Sequence, residues 1–148
     1  MSLPFLRPQS LGWVALGGTL GAGAREALIL GMPDVGHVPW AIVLANIVGA
    51  FLLGLLYSAL STIPQARAQR TRRLRLLLGT GFCGGFTTYS TLALGVVVMA
   101  GSGGLFWATA YALGTVLFGA LATWAGIAVG ILAGPGAVHR PLKTDGQR

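Results

Sequence analysis

The sequence predicts an all-α integral membrane protein with four transmembrane helices. The first observation is composition: of 148 residues, 54% are hydrophobic and 9% are charged, whereas soluble domains contain roughly 25% charged residues. The second is pattern, because four long apolar stretches alternate with short polar or basic segments. About 20 apolar residues in a helix match a hydrocarbon core of about 30 Å. Each stretch is therefore long enough to cross a bilayer once.

The predicted spans are residues 11–30, 38–60, 74–100 and 105–132, which together form one transmembrane domain over 11–133. A short segment, 1–10, precedes them, and a polar tail occupies 134–148. A basic connector lies between residues 62 and 75. The first span carries Arg25 and Glu26 near its end, and the second is free of charge but contains Asn46.

The third span is interrupted in sequence by residues 84–88, which are a glycine pair, a phenylalanine and two threonines. Glycine and threonine have low helix propensity, so we predict a break in this helix at mid-membrane. Non-helical backbone at membrane depth is tolerated only where it is buried in protein or lines a polar cavity. The predicted break is the first indication of a functional site.

The basic residues are distributed unevenly along the chain, which has a formal charge of +7 and a pI near 11.2. With four spans, Arg25 lies on one side, and the other Lys and Arg residues lie on the opposite side: Arg7, Arg67, Arg70, Arg72, Arg73, Arg75, Arg140, Lys143 and Arg148. Short cytoplasmic loops are enriched in Lys and Arg. Both termini are therefore predicted in the cytoplasm and the protein in the cell (plasma) membrane. A nucleic-acid binder would spread its basic residues over a folded surface, so membrane lipid is the predicted partner and nucleic acid is not.

Enzymatic chemistry finds no support in the sequence. His37 and His139 fall outside the spans, no span contains two carboxylates, and the one cysteine is Cys83. Ser90 has no neighbouring base in the sequence to activate it as a nucleophile. We therefore predict that the protein is not an enzyme.

Neutral polar side chains lie within the spans. They are Asn46 in the second span, Thr87, Thr88, Tyr89, Ser90 and Thr91 in the third, and Tyr111 and Thr115 in the fourth. Hydroxyl and amide donors without carboxylates suit a weakly bound anion, since a cation site needs acidic side chains or many carbonyls. The alternative is that these residues form interhelical hydrogen bonds, worth about 0.6 kcal/mol each. Both interpretations stay open for single residues, and the cluster at the predicted break favours the anion site.

Small residues and one arginine complete the candidate set. Glycines allow helix backbones to approach closely, and we predict this packing role for Gly17, Gly18, Gly21, Gly49, Gly54, Gly114 and Gly119. Arg25 has two interpretations. It forms an ion pair with Glu26, or it presents a positive charge at a vestibule that attracts anions.

Three motifs resemble those of the Fluc (CrcB-type) fluoride channels. Residues 17–25 read GGTLGAGAR, similar to the family's GGxxGAxxR, and residues 46–54 read NIVGAFLLG, similar to NxxGxFxxG. Residues 81–92 read GFCGGFTTYSTL, similar to the signature GFxGGFTTFSTF. The motifs occur in the family's order on the corresponding spans, and the resemblance covers nearly the whole chain.

The resemblance implies a channel subunit that pairs as an antiparallel dimer and exports cytoplasmic fluoride passively, which relieves fluoride toxicity. It implies that Asn46 donates a hydrogen bond to fluoride and that Arg25 lies at the vestibule. It also implies that the carbonyls of Gly84 and Thr87 share a structural Na⁺ at the dimer centre. The predicted fluoride pathway comprises Asn46, Tyr89, Ser90, Thr91, Tyr111 and Thr115, the last two on a polar track of the fourth helix.

The chain departs from the family pattern at the aromatic positions. Two family phenylalanines whose ring edges face the ion correspond here to Tyr89 and Leu92, and leucine lacks the positive rim of an aromatic ring. A serine of the polar track falls at Gly119. An antiparallel homodimer also requires balanced charge, whereas the basic residues here favour one orientation. We therefore predict that this subunit pairs with a related chain of opposite topology.

Two other functions are compatible with four short spans. A small proton-coupled multidrug antiporter requires a membrane-embedded carboxylate, for which Glu26 is the candidate. An accessory or assembly subunit without its own pore would use the glycine-rich helix faces for association.

Overall fold

The computed structural model describes residues 8–32, 38–61, 63 and 67–133, and these residues are almost entirely helical. Helix α1 is Pro8–Gly31, α2 is Trp40–Ser61, α3 is Ala68–Leu74, α4 is Gly84–Phe86, α5 is Tyr89–Gly101 and α6 is Leu105–Ala133. A π-helical stretch, Arg75–Cys83, joins α3 to α4. We call Ala68–Gly101, from the start of α3 to the end of α5, the third segment.

Three helical segments of the described chain are long and apolar enough to cross a membrane: Trp40–Ser61, Ala68–Gly101 and Leu105–Leu132. The protein is therefore a helical, multi-pass membrane protein, and three of the four predicted spans meet the criterion. Helix α1 has 24 residues, which is sufficient length, but it is rich in glycine and contains Arg25 and Glu26. These residues lower its mean hydropathy, so its crossing stays a prediction.

The predicted connector over 62–75 is shorter than expected, because α3 begins at Ala68 and continues into the third segment. Alanine, glutamine, arginine and leucine are all good helix formers, and they make up most of α3. The part of the connector at residues 62 and 64–66 lies outside the described residues. The same is true of 1–7, 33–37 and the polar tail 134–148.

Helix α1 crosses the third segment at a contact between glycines. A Cβ placed on Gly81 would lie 2.9 Å from the Cα of Gly17, and one placed on Gly85 would lie 3.0 Å from the backbone nitrogen of Ala22. A Cβ on Gly21 would collide with the carbonyl of Phe82. The two backbones approach this closely because no side chain separates them. The packing role predicted for the glycines of the first span is thus confirmed for Gly17 and Gly21.

Helices α2 and α6 form the other close crossing. A Cβ on Gly54 would collide with the carbonyl of Thr123, and one on Gly126 with that of Phe51. Gly114 and Gly119 make no such contact within the described chain, since no described atom lies within 4 Å of a Cβ on either residue, and their packing role stays a prediction. The contact face of α6 instead contains Gly126 and also Gly130, whose Cβ would lie 2.7 Å from the carbonyl oxygen of Leu55.

Helices α5 and α6 are joined by a tight turn at residues 101–104. Gly103 has a φ of 84°, a left-handed conformation that glycine adopts without steric cost. Beyond the turn, Leu92, Met99, Ala108 and Tyr111 form a buried apolar cluster between the two helices. The outer face of α6 is exposed and strongly apolar, with Phe118 and Trp124 among the exposed residues, as expected for a surface in contact with lipid.

Candidate functional site

The third segment leaves helical conformation at Thr87 and Thr88. Helix α4 ends at Phe86, Thr87 has φ −82° and ψ 154°, Thr88 has φ −149° and ψ 124°, and α5 begins at Tyr89. Both the backbone N–H and the hydroxyl of Thr87 donate to the carbonyl of Cys83, at 2.9 and 2.8 Å. The backbone of Thr87 is therefore still anchored to the preceding turn, and the chain departs from the helix one residue later.

Asn46 of α2 holds the backbone of Thr88 with two hydrogen bonds. The Thr88 N–H donates to Asn46 Oδ1 at 2.8 Å, and Asn46 Nδ2 donates to the Thr88 carbonyl at 3.1 Å. A side-chain amide carries one acceptor oxygen and two N–H donors, so it can replace the helical acceptor that the Thr88 N–H has lost and also donate to the Thr88 carbonyl. Asn46 thus supports the interrupted backbone directly, a contact that sequence patterns did not predict.

The Asn46 contact also affects the hydrogen bonding of the Gly84 carbonyl. In a continuing α-helix the N–H of Thr88 would donate to the carbonyl of Gly84, four residues earlier. Because that N–H donates to Asn46 instead, the Gly84 carbonyl is released from the helical pattern. Gly84 is exposed and lines the groove described below. An oxygen acceptor is therefore available at the end of α4, as the unpaired carbonyls of helix ends generally are.

The N-terminus of α5 is capped by the hydroxyl of Thr88, which accepts a hydrogen bond from the Thr91 N–H at 3.3 Å. The same hydroxyl lies 3.1 Å from that of Ser90 and 3.2 Å from that of Thr91. The hydroxyls of Ser90 and Thr91 therefore form hydrogen bonds with the capping hydroxyl of Thr88. The first turn of a 13-residue helix carries partial positive charge, and these hydroxyls surround it.

Arg25 of α1 reaches the same region. Its Nη1 donates to the Thr87 carbonyl at 3.4 Å, a long hydrogen bond. Among the described residues Arg25 forms no ion pair with Glu26, so the structure favours contact with the interrupted backbone over the pairing with its neighbour. A vestibule role for Arg25 stays a prediction.

An open groove of about 790 Å³ runs between α2, the third segment and α6. It brings together five of the predicted site residues, namely Asn46, Gly84, Thr87, Tyr89 and Thr115. The other four, Arg25, Ser90, Thr91 and Tyr111, are not among its lining residues. No acidic side chain lines it in the part of the chain that the structure describes.

The two predicted residues of the polar track differ in position. Thr115 is buried and lines the groove, and its hydroxyl donates to the Tyr111 carbonyl at 2.7 Å. Tyr111 belongs to the apolar cluster between α5 and α6, where a Cβ on Gly95 would lie 3.2 Å from its ring. Within this one chain, Tyr111 packs as a core residue.

Three further polar residues line the groove and were missed from the sequence: Tyr57, Thr80 and Thr123. Thr115, Gly119 and Thr123 recur at four-residue intervals, the spacing of one helical face, and this was a usable signal for Thr123. Tyr57 is covered by the guanidinium of Arg75, which lies 5.6 Å from the ring centroid. That contact gave no sequence signal, because α2 and the third segment are separate in the chain.

Comparison with known proteins agrees with the motifs. The family described as "CrcB-like protein, Camphor Resistance (CrcB)" matches residues 12–127. The chain is 42% identical over 123 residues to "Fluoride-specific ion channel FluC 1" of Cutibacterium acnes, covering 82% of this chain and 85% of that protein. It is 39% identical over 132 residues to "Fluoride-specific ion channel FluC 2" of Leifsonia xyli subsp. xyli, covering 87% and 88% of the two chains. The predicted family resemblance is confirmed, and this chain belongs to the CrcB-like family.

Proposed function

We propose that the protein is a subunit of a passive, fluoride-selective channel that exports fluoride from the cytoplasm. The observation that carries the proposal is the groove, in which an interrupted helix, the Asn46 amide and several hydroxyls lie among apolar membrane helices. The names of its relatives, which are fluoride-specific ion channels, support the same function.

The chemistry of the groove suits an anion. Its described lining carries amide, hydroxyl and backbone groups and no carboxylate, and it adjoins the partly positive N-terminus of α5. Asn46 uses one amide N–H on Thr88 and retains a second, which would donate to fluoride. Closely spaced donors of this kind replace the hydration shell of a small anion but cannot enclose chloride.

Export needs no energy source under this proposal. Hydrogen fluoride enters cells from acidic surroundings and dissociates in the more neutral cytoplasm. The accumulated anion then leaves through the channel down its electrochemical gradient. Catalysis has no part in this, and the protein is a channel subunit and not an enzyme.

A second subunit would complete the pathway, because the groove of one chain is open. We propose an antiparallel dimer, with the helix interruption at mid-membrane and both termini of this chain in the cytoplasm. Tyr89 lines the groove and is 81% exposed, and a partner would cover it. Leu92 is buried against α6, so the partner subunit, a related chain of opposite topology, would supply the missing aromatic edge.

The family resemblance also implies a structural Na⁺, and the interrupted backbone offers ligands of a suitable type. The Gly84 carbonyl is released from the helix, and the Thr87 carbonyl accepts one long bond from Arg25 and keeps a second lone pair. Neutral carbonyl oxygens suit a hard cation. Bound there, Na⁺ would link the interrupted helix of this chain to that of the partner subunit. The positive charge of Arg25 would oppose Na⁺ binding.

Liposome efflux tests the proposed function. The purified chain is reconstituted into vesicles loaded with KF or KCl, valinomycin carries the compensating K⁺, and an ion-selective electrode records release. We expect fluoride efflux and no chloride efflux above empty vesicles when this chain is present with its partner subunit. Fluoride efflux from this chain alone would contradict the need for a related partner, and no fluoride efflux under either condition would contradict the function.

The same vesicles separate the two alternatives. An antiporter would release a cationic substrate only when a pH gradient is imposed, and Glu26, the carboxylate within the described chain, lies exposed on α1 and outside the groove lining. An accessory subunit would give no ion flux with or without a partner.

A further inference from the structure

A second, smaller cavity lies away from the groove, where the first turns of α1 meet α3. Its volume is about 440 Å³, and it is lined by Gln9, Gly12, Trp13, Leu16 and Arg73. Arg72 of α3 donates to the hydroxyl of Ser10 at 3.5 Å. This bond connects the two helices beside the cavity. We call the cavity the α1–α3 pocket.

One face of α1 leads out of the pocket. Gln9, Trp13, Leu16 and Leu20 follow one another at intervals of four, three and four residues, which places them on one side of a helix. Leu16 and Leu20 are 51% and 57% exposed. The face therefore changes from polar at Gln9, through an aromatic residue, to exposed leucine. Tryptophan is enriched at the boundary between headgroups and hydrocarbon, so the gradient matches the depth profile of a bilayer.

The charge at the polar end is strongly positive. Arg67, Arg70, Arg72 and Arg73 are all exposed at or beside α3. The sequence contains three acidic residues, Glu26, Asp34 and Asp145, and none of them belongs to α3 or to the first turns of α1. Juxtamembrane arginine clusters attract the anionic lipids of the cytoplasmic leaflet.

We propose that the α1–α3 pocket binds the headgroup of an anionic phospholipid. Arg73 holds the phosphate, because a guanidinium donates two parallel hydrogen bonds to phosphate oxygens. Trp13 lies at the level of the glycerol esters, and an acyl chain follows Leu16 and Leu20. A free phosphate ion would use Arg73 but would gain nothing from this apolar face, so the occupant is a lipid. The site is separate from the groove and does not depend on ion conduction.

Lipid retention measured by native mass spectrometry tests the proposal on the full chain, purified in detergent and supplied with phosphatidylglycerol or phosphatidylcholine. We expect retention of phosphatidylglycerol over phosphatidylcholine. Arg73→Gln should lower that retention about tenfold, the scale of a lost charge-assisted hydrogen bond. Arg70→Gln is the matched control, since it removes the same charge from the same helix outside the pocket lining, and it should lower retention less than Arg73→Gln does.

Three results would overturn the proposal. If Arg73→Gln and Arg70→Gln lowered lipid retention equally, the lipid would be held by diffuse electrostatic attraction to α3 and not by the pocket. Equal retention of the two lipids would exclude an anionic headgroup. Displacement of the lipid by inorganic phosphate at millimolar concentration would identify the occupant as a free anion. If Arg73→Gln fails to give a monodisperse protein, Arg73→Lys replaces it: lysine keeps the charge but loses the bidentate geometry, so retention should fall to an intermediate value, and unchanged retention would also overturn the assignment of Arg73.

Discussion

The third segment makes two contacts of opposite kinds with its neighbours. On one side it meets α1 through glycines, and the backbones touch with no side chain between them. On the other it meets α2 through Asn46, whose amide replaces the helical acceptor of the Thr88 N–H and donates to the Thr88 carbonyl. The first contact needs only the absence of a Cβ, whereas the second needs one particular side chain. The glycine contact therefore carries stability, and the asparagine contact carries the geometry of the site.

The largest loss of stability is expected for Gly21→Ala. The new methyl group would collide with the Phe82 carbonyl and lie 2.9 Å from the Phe86 nitrogen, so two helices must separate, at a cost of about 3 kcal/mol. Gly23→Ala is the control, because no described atom lies within 4 Å of its Cβ and alanine gains about 0.5–1 kcal/mol within a helix. Thermal unfolding in detergent measures both. Equal shifts in melting temperature would show that α1 does not pack as described.

A loss of similar size is expected at the crossing of α2 and α6. Gly126→Ala would collide with the Phe51 carbonyl and lie 2.9 Å from the Leu55 nitrogen, and we expect about 3 kcal/mol of destabilisation in the same assay. Gly119→Ala should leave the melting temperature of the subunit unchanged or raised, since its Cβ points into open space among the described residues. If Gly119→Ala lowered the melting temperature more than Gly126→Ala, the assignment of Gly126 to the contact face of α6 would be wrong.

Removing the side-chain amide of Asn46 should cost less stability than the glycine substitutions. Its specific effect should be on the hydrogen bonding of the Thr88 N–H. Asn46→Leu keeps the size of the side chain and leaves the Thr88 N–H without a partner, at about 1–2 kcal/mol. Hydrogen exchange at the Thr88 amide should accelerate more than at Ala93 in the middle of α5. Thr109→Val, which removes an exposed hydroxyl bonded within α6, should change stability by less than about 0.5 kcal/mol. Unchanged exchange at Thr88 would contradict the contact with Asn46.

How much of this could be predicted from sequence depends on whether a feature is local. The spans and the helix interruption follow from apolar length and from the low helix propensity of Gly84-Gly85-Phe86-Thr87-Thr88. The glycines of α1 were also predictable, because their spacing keeps them on one face. These features need no knowledge of the neighbouring helix.

The features that were missed depend on which helix lies opposite. Gly114 and Gly126 are equally small, and only the position of α2 decides that Gly126 is the contact. The packing of the Tyr111 ring against Gly95 was also not predicted, and its place on the ion pathway stays a prediction. No residue preference in the sequence indicates that Arg75–Cys83 is a π-helix. This stretch lies where the third segment contacts α1 most closely. Such π-helical turns often occur near functional sites.

The smallest expected effect concerns Thr115, which lines the groove on α6. Thr115→Val removes a hydroxyl that already donates to the Tyr111 carbonyl, so it should cost less than about 1 kcal/mol of stability. Fluoride efflux should fall only about threefold, because a hydroxyl that must first leave a hydrogen bond contributes little to binding. Complete loss of efflux would make Thr115 a principal fluoride ligand, and unchanged efflux would remove it from the pathway.

Fluoride efflux through Asn46→Asp tests the central claim most directly. Aspartate keeps the shape of asparagine and can accept from the Thr88 N–H, but it cannot donate to the Thr88 carbonyl or to fluoride, and it adds a negative charge beside the anion. The measurement compares this variant with Thr123→Val, which alters a hydroxyl elsewhere in the groove that donates to the Gly119 carbonyl. With the partner subunit present in both cases, we predict no fluoride release from vesicles containing Asn46→Asp and sustained release with Thr123→Val. Sustained release with Asn46→Asp would contradict the account, because the anion would then pass without the side chain that organises the site.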